Sequence, residues 1–184
     1  MITKQQSQQA GHYEIHGETI AKFEFFENGF NPYSRYLDIE KVDLILRKNI
    51  GNSIKYYDIQ VKYGRLYECG IKWEKLLNFD VTSWRFFKPN EFINSKSLFI
   101  AYVLSLPGKY NGDIFIFPAL KFNEIINKAI SCNTKKGKRF KVYIARNKTE
   151  NKWYLWKKRP FDKITTDTCL ELTEYWRNFK QIGG

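Results

Sequence analysis

Residues 42–63 read VDLILRKNIGNSIKYYDIQVKY, and two β-strands joined by a tight turn are written into that stretch. In the first segment Leu44 and Leu46 alternate with Asp43 and Ile45; in the second Tyr57, Ile59, Val61 and Tyr63 alternate with Asp58, Gln60 and Lys62. A period of two places each set on its own face of a pleated strand. Asn49-Ile50-Gly51-Asn52 between them has the composition of a hairpin turn. Pairing of Val42–Arg47 with Lys55–Tyr63 sets Val42, Leu44 and Leu46 on one side. It also brings an acid (Asp43), an amide (Gln60) and an ammonium (Lys62) together on the other.

Working outward, Tyr13–Asn28 has apolar residues at helical spacing (Ile15, Thr19, Phe23 and Phe26, with Ile20 beside them) and ends at Gly29, while residues 1–11 are expected to fray. Tyr33–Leu37 reads as a strand. Residues 64–97 lack a clear period and are expected to be rich in loops. Leu98–Leu106 and Asp113–Phe117 read as strands. Pro118 opens a helix with the stripe Phe122, Ile125, Ile126, Ala129 and Ile130. Strands follow at Phe140–Ala145 and Trp153–Trp156. A final helix is expected from Thr168, with Thr168 and Glu171 as a capping box and Leu172, Tyr175, Trp176 and Phe179 as its buried stripe. Helices alternating with strands make this an α/β chain with a mixed sheet in one domain.

The composition narrows the function. Lys and Arg number 31 against 19 Asp and Glu, a net charge of +12. A field of that size attracts polyanions, nucleic acid foremost. Fifteen Phe, 12 Tyr and 5 Trp supply core mass and surfaces on which bases can stack. Cys69, Cys132 and Cys169 are odd in number and widely spaced, which argues against a disulfide framework or zinc site. The polar start MITKQQSQQAGHYE has no signal-peptide core, and no apolar run reaches membrane-spanning length. A cytoplasmic protein with no membrane partner is expected. His12 and His16 stand at i,i+4, but no third ligand accompanies them.

Taken together, His16-Gly17-Glu18, Asn28-Gly29-Phe30, Val42-Asp43-Leu44-Ile45 and Ile59-Gln60-Val61-Lys62 resemble the core of the PD-(D/E)XK, or restriction-endonuclease-like, nuclease superfamily. The resemblance covers about residues 12–65. Its layout is a helix bearing Glu, a strand with Asp near its end, and a strand carrying (D/E)xK. It implies a restriction-endonuclease-like core with helices flanking a mixed sheet, and a Mg²⁺-dependent endonuclease acting on DNA, with Mn²⁺ as a substitute ion. Asp43 would be the principal metal ligand, Gln60 the second ligand position, Lys62 the catalytic lysine and Glu18 the helical acid. Family analogy also suggests a homodimer.

Two departures are visible. Val42 stands in place of the Pro of the motif, and Gln60 in place of its acid. An amide oxygen can hold a hard cation but carries no charge, so Asp58 on the same strand face is a candidate to compensate. Glu18 also fits an ordinary i,i+4 pair with Lys22, and Asp43 a solvated strand edge. Arg65 and Arg85 are candidate phosphate contacts near the site. Lys135, Lys136, Lys138 and Arg139, continued by Lys141, and then Lys157, Lys158 and Arg159 form two basic clusters that would meet as a phosphate-gripping rim if their strands pair. The alternative function is a noncatalytic nucleic-acid-binding module on the same fold. A basic protein-interaction module rests on charge and aromatic content alone.

Overall fold

The computed structural model describes residues 4–34, 41–70, 72–135, 137–159 and 161–183, and the chain is α/β with two β-sheets and few helices. The elements that position the candidate site come first in the chain. They are α1 (Lys4–Glu27), β1 (Asn31–Ser34), β2 (Leu44–Ile50) and β3 (Ser53–Arg65). The hairpin forms as its alternation predicts: Ile50 faces Ser53, Leu44 faces Ile59, and Gly51 takes the left-handed conformation (φ +56°) that the two-residue turn requires. Of the first strand segment, Tyr33–Leu37, residues 35–40 lie outside the described residues; β1 pairs with β2 over Asn31–Ser34.

The next elements are β4 (Tyr67–Glu68), α2 (Lys72–Leu76), β5 (Phe79–Phe87), β6 (Leu98–Ser105), β7 (Ile114–Pro118) and α3 (Ala119–Lys128). The chain then continues through β8 (Ile130–Thr134), β9 (Gly137–Asn147), β10 (Lys152–Trp156) and β11 (Cys169–Glu171). One sheet is mixed, in the order β1-β2-β3-β6-β7, with β3 and β6 parallel and the other pairs antiparallel. The other is antiparallel, in the order β11-β10-β9-β5-β4, with β8 also on β9.

A core of Ile100, Tyr102, Leu104, Phe115 and Phe117 from the first sheet meets Val81, Phe87, Val142, Ile144 and Trp153 from the second, and Phe122 and Ile125 of α3 fill it. The far face of the mixed sheet (Leu44, Leu46, Ile59, Val61 and Ala101) is covered by Ala21 and Phe25 of α1 and by Phe179 and Ile182. Much of the aromatic content is spent here, in ring contacts such as Phe117 with Phe122 at 4.5 Å and with Tyr175 at 4.7 Å.

Three sequence expectations are overturned. Residues 64–97 contain β5, a nine-residue strand between β4 and β9. Its period is hidden because Trp84, Arg85 and Phe86 are all exposed, so no face reads as apolar. The helix begins at Lys4 rather than Tyr13, and its buried side is not the predicted stripe: Ile15, Phe23 and Phe26 are 68%, 65% and 65% exposed, while Gly17, Ala21, Glu24 and Phe25 are buried. Small residues decide this. A Cβ on Gly17 would lie 3.0 Å from Cβ of Tyr63, so only this side lets the helix sit close on β3. The buried Glu24 then accepts two hydrogen bonds from Arg177, at 2.9 and 3.0 Å, and one from Tyr110 Oη at 2.8 Å.

The third is the C-terminal helix. Residues 169–171 form β11 on β10, and the rest is two short 3₁₀ turns, Thr173–Tyr175 and Phe179–Gln181. Leu172 and Tyr175 enter the core between the sheets, whereas Phe179 and Ile182 enter the layer under α1. One straight helix cannot serve two layers; Arg177, at φ +52°, turns the chain from one to the other. Thr168, expected to cap that helix, instead bonds within the 165–168 turn, its hydroxyl accepting from Thr165 N at 2.8 Å.

Gly64 lies where the chain leaves one sheet for the other. A Cβ there would stand 2.7 Å from Leu104, 2.8 Å from Oγ of Ser83 and 2.9 Å from Oη of Tyr102, all fully buried or nearly so. Gly64→Ala is therefore expected to destabilise the fold by about 1–3 kcal/mol, measured by urea denaturation. Asp113 is also buried, and burial pushes its carboxyl up from 3.8 to about 6, with Arg146 pulling it the other way. Between those values the native protein holds a proton that the unfolded chain has released, so this contribution to stability is lost as pH rises through about 6. Asp113→Asn should thus gain stability relative to wild type on moving from pH 5 to pH 7. An equal difference at both pH values in urea titrations contradicts the assignment.

Candidate functional site

β3 is longer than its hairpin partner. The β2 ladder begins at Leu44 opposite Ile59, leaving residues 60–65 of β3 without β2 beside them. Two side chains take over the exposed edge. Asp43 N donates to Ile59 O at 2.9 Å, and Oδ2 of Asp43 accepts from Val61 N at 2.6 Å. Arg85, reaching from β5, donates through Nη1 to Tyr63 O at 2.9 Å. The Asp43 carboxylate thus lies against the Gln60–Val61 peptide.

The predicted facing of the first strand is corrected at its start. Val42 packs between the two sheets, whereas Leu44 and Leu46 pack under α1, so Val42 does not share their side. The reason is local: Lys41 is left-handed at φ +56° and Val42 precedes the ladder, so alternation starts only at Leu44.

On β3 the alternation holds. Ile59 and Val61 face α1, and Gln60 and Lys62 turn toward the second sheet, opposite Ile100 and Tyr102 of β6. Gln60 is only 9% exposed, and among the described residues its amide makes no hydrogen bond. Lys62 Nζ lies 5.9 Å from the centre of the Phe92 ring. Burial holds its ammonium below the usual lysine range; Asp43 opposes that shift, Arg85 reinforces it, and Glu91 and Glu14 oppose it. A lysine in this setting is better suited to exchanging a proton near neutrality than a solvated one.

Lys62 lines a cavity of about 330 Å³ together with Glu14, Glu18, Tyr63, Arg65 and Arg85. The structure therefore brings Glu18 and Lys62 to one cavity, whereas Asp43 and Gln60 do not line it; Asp43 reaches its wall through the hydrogen bond it accepts from Val61 N. Asp58 does not join them. It lines a separate depression with Tyr33, Ile45, Arg47 and Tyr56, so the compensating role expected of it is not supported by its position. Among the described residues no three His, Cys, Asp or Glu side chains gather as a metal cluster. The oxygen donors present are Asp43, Glu18 and the Gln60 amide. That set fits Mg²⁺, which commonly takes one or two carboxylates and completes its shell with water and substrate phosphate. His16 packs edge-on against Tyr63 at 5.7 Å.

Glu14 and Glu91 were not singled out from sequence. Glu14 stands four residues before Glu18 on α1, a signal that a longer helix makes readable. Glu91 follows the unrecognised β5 and carried no local signal. Of the nucleic-acid candidates, Arg65 and Arg85 line the cavity, with Arg65 also 5.3 Å from the Tyr67 ring. Lys138 and Arg139 of β9, Lys135 in the turn before it and Lys157, Lys158 and Arg159 just after β10 do not line it; Lys136 lies outside the described residues. Lys157 donates to Thr166 O at 2.6 Å.

Asp43 thus has two separable tasks, capping Val61 N and lending charge to Lys62. Asp43→Asn keeps an acceptor oxygen for Val61 N, whereas Asp43→Ala keeps neither. Asp43→Ala should be the less stable of the two by about 1–3 kcal/mol, read from urea denaturation. In Asp43→Asn the Lys62 ammonium should titrate still lower than in wild type, as followed by NMR of the labelled side chain. Comparison with protein-family models, with curated proteins and with solved structures finds no match to this chain.

Proposed function

We propose that this chain is a divalent-metal-dependent endonuclease that hydrolyses phosphodiester bonds of DNA, with Asp43, Gln60, Lys62 and Glu18 as its working residues. The observation that carries the reading is the Asp43 carboxylate set against the Gln60–Val61 peptide, one residue before a half-buried Lys62 whose ammonium is depressed. The order of a Glu-bearing helix, an Asp and a QxK strand supports the PD-(D/E)XK resemblance, although Asp43 stands just before its strand rather than near its end.

Bound Mg²⁺ or Mn²⁺ supplies polarisation of the phosphate and an acidified water. Asp43, Gln60 and Glu18 provide the oxygens that hold such an ion. Lys62 orients the attacking water and exchanges a proton with it or steadies the charge that develops on the phosphate. Arg65 and Arg85, at the same cavity, grip flanking phosphates through their planar guanidinium groups. Among the described residues no helix is long and apolar enough to cross a membrane. A cytoplasmic setting and a symmetric pair of chains that cuts both strands belong to the same proposal.

A noncatalytic nucleic-acid-binding module is the second reading, favoured by the neutral Gln60 and by the absence of a three-ligand cluster among the described residues. A supercoiled-plasmid assay with Mg²⁺, Mn²⁺ or EDTA separates the two. Wild type should nick only with metal, and Lys62→Ala or Asp43→Asn should lose about 100-fold or more of the rate. Retention of DNA without cleavage by wild type selects the binding module, and undiminished cleavage by Lys62→Ala rejects the assigned site.

A further inference from the structure

The outer face of the antiparallel sheet carries a second feature, separate from the cavity at Lys62. Arg85 turns from β5 toward the cavity, so its neighbours Trp84 and Phe86 point to the opposite side. Both are large rings in solvent, 43% and 44% exposed, and they meet edge to face at 5.7 Å. They stand opposite Tyr143 and Lys141 of β9. Lys141 Nζ sits 4.3 Å from the Trp84 ring centre, 5.0 Å from that of Tyr143 and 6.0 Å from that of Phe86. Beyond Tyr143, the Trp156 ring lies parallel at 3.9 Å, and Arg159 covers the pair at 4.9 and 5.9 Å.

The cations here are not neutralised by the protein. Among the described residues no carboxylate forms an ion pair with Lys138, Arg139, Lys141 or Arg159. Lys141 and Arg159 are close enough that the guanidinium, after burial, depresses the ammonium. Two like charges held together beside exposed rings leave a place for an anion of another molecule. β9 and β10 pair as a hairpin with Ile144 opposite Leu155, and this brings Lys141 from one expected cluster beside Arg159 from the other. What they flank is an aromatic surface.

We propose that Trp84, Phe86, Lys141 and Arg159 form a binding platform for single-stranded nucleic acid. Unpaired bases stack on Trp84 and Phe86, and the backbone phosphates lie on Lys141 and Arg159, with Arg139, on the same face of β9 as Lys141, extending the track. A duplex shields its base faces by pairing and stacking within itself, so this surface selects unpaired strands. A second copy of this strongly basic chain brings no excess of anions to Lys141 and Arg159, whereas a nucleic-acid strand supplies bases for the rings and phosphates for the cations together. The platform does not depend on cleavage at Lys62.

The test is fluorescence anisotropy in EDTA with labelled 12-mers of dT and of U and with a 12-base-pair duplex, over a range of salt. Either single strand should bind at least tenfold tighter than the duplex. Trp84→Ala and Phe86→Ala should each weaken single-strand binding about tenfold, without change in circular dichroism. Lys141→Gln should lower the slope of log affinity against log salt by about 0.7. Lys180→Gln, an exposed lysine on neither surface, should bind as wild type does, and single-strand binding in EDTA whether or not wild type nicks plasmid keeps this claim distinct from the nuclease reading. Equal affinity for duplex, no binding of either single strand, or full binding by both ring variants overturns it. So does a sedimentation shift from dimer to monomer in Trp84→Ala with oligonucleotide affinity intact.

Discussion

The molecule is organised around one strand that outruns its partner. β3 starts in the hairpin with β2, runs parallel to β6 and continues past Gly64 into β4, which pairs in the other sheet. It also receives α1 on one side at Tyr63 and Arg85 of β5 on the other. A backbone left half-paired has to find hydrogen-bond partners elsewhere. Asp43 and Arg85 provide them, and in doing so they fix an acid and a guanidinium beside Lys62. The edge capping and the candidate chemistry are therefore one arrangement. Gly64 makes it sterically feasible, because any Cβ at that point would occupy the space held by Leu104, Ser83 and Tyr102.

What was legible in the sequence follows the reach of local rules. The 42–63 hairpin and helix α3 have their burial periodicity written into contiguous residues, and the strands at 98–105 and 114–118 are short unbroken apolar runs buried on both faces. Gly29 at φ +81° closes α1 where expected. The failures lie where distant packing decides. The buried face of α1 was set by Gly17 and Ala21 fitting β3, against a more apolar stripe that remains in solvent. The last 17 residues have helical spacing, yet the hydrogen bonds from Arg177 to Glu24 hold the chain in a shape that splits their apolar residues between two layers. At the site, alternation along β3 places Lys62 beside Gln60, while Asp43 stands just before the β2 ladder, where hairpin register does not reach. The distance of Asp58 from the cavity and the presence of Glu14 depend on helix placement, which alternation does not encode.

The excess positive charge divides into groups with different surroundings. Lys62, Arg65 and Arg85 share a cavity with Glu14 and Glu18, so their field is partly balanced and directed inward. Arg146 and Arg177 are occupied by Asp80 and Glu24 and serve the fold. Lys141 lies beside the exposed Trp84 and Phe86 rings and Arg159 over the Tyr143–Trp156 pair, and among the described residues no acid pairs with either. Net charge alone treats these groups as equivalent. Their partners separate cations that hold the protein together from cations positioned to meet another molecule.

The proposed chemistry turns on the neutral side chain of Gln60. An acid there would strengthen a hold on Mg²⁺, but it would also stand two residues from Lys62 on the same strand face and draw its ammonium upward. With Gln60, the charges raising that ammonium are Asp43, Glu91 and Glu14, and burial outweighs them. The amide thus gives up cation affinity and leaves a lysine more ready to lose its proton. A metal ion weakly held by protein oxygens would then rely on substrate phosphate to complete its shell, so metal and nucleic acid would bind with positive coupling. In that arrangement the reactive state assembles only when both are present.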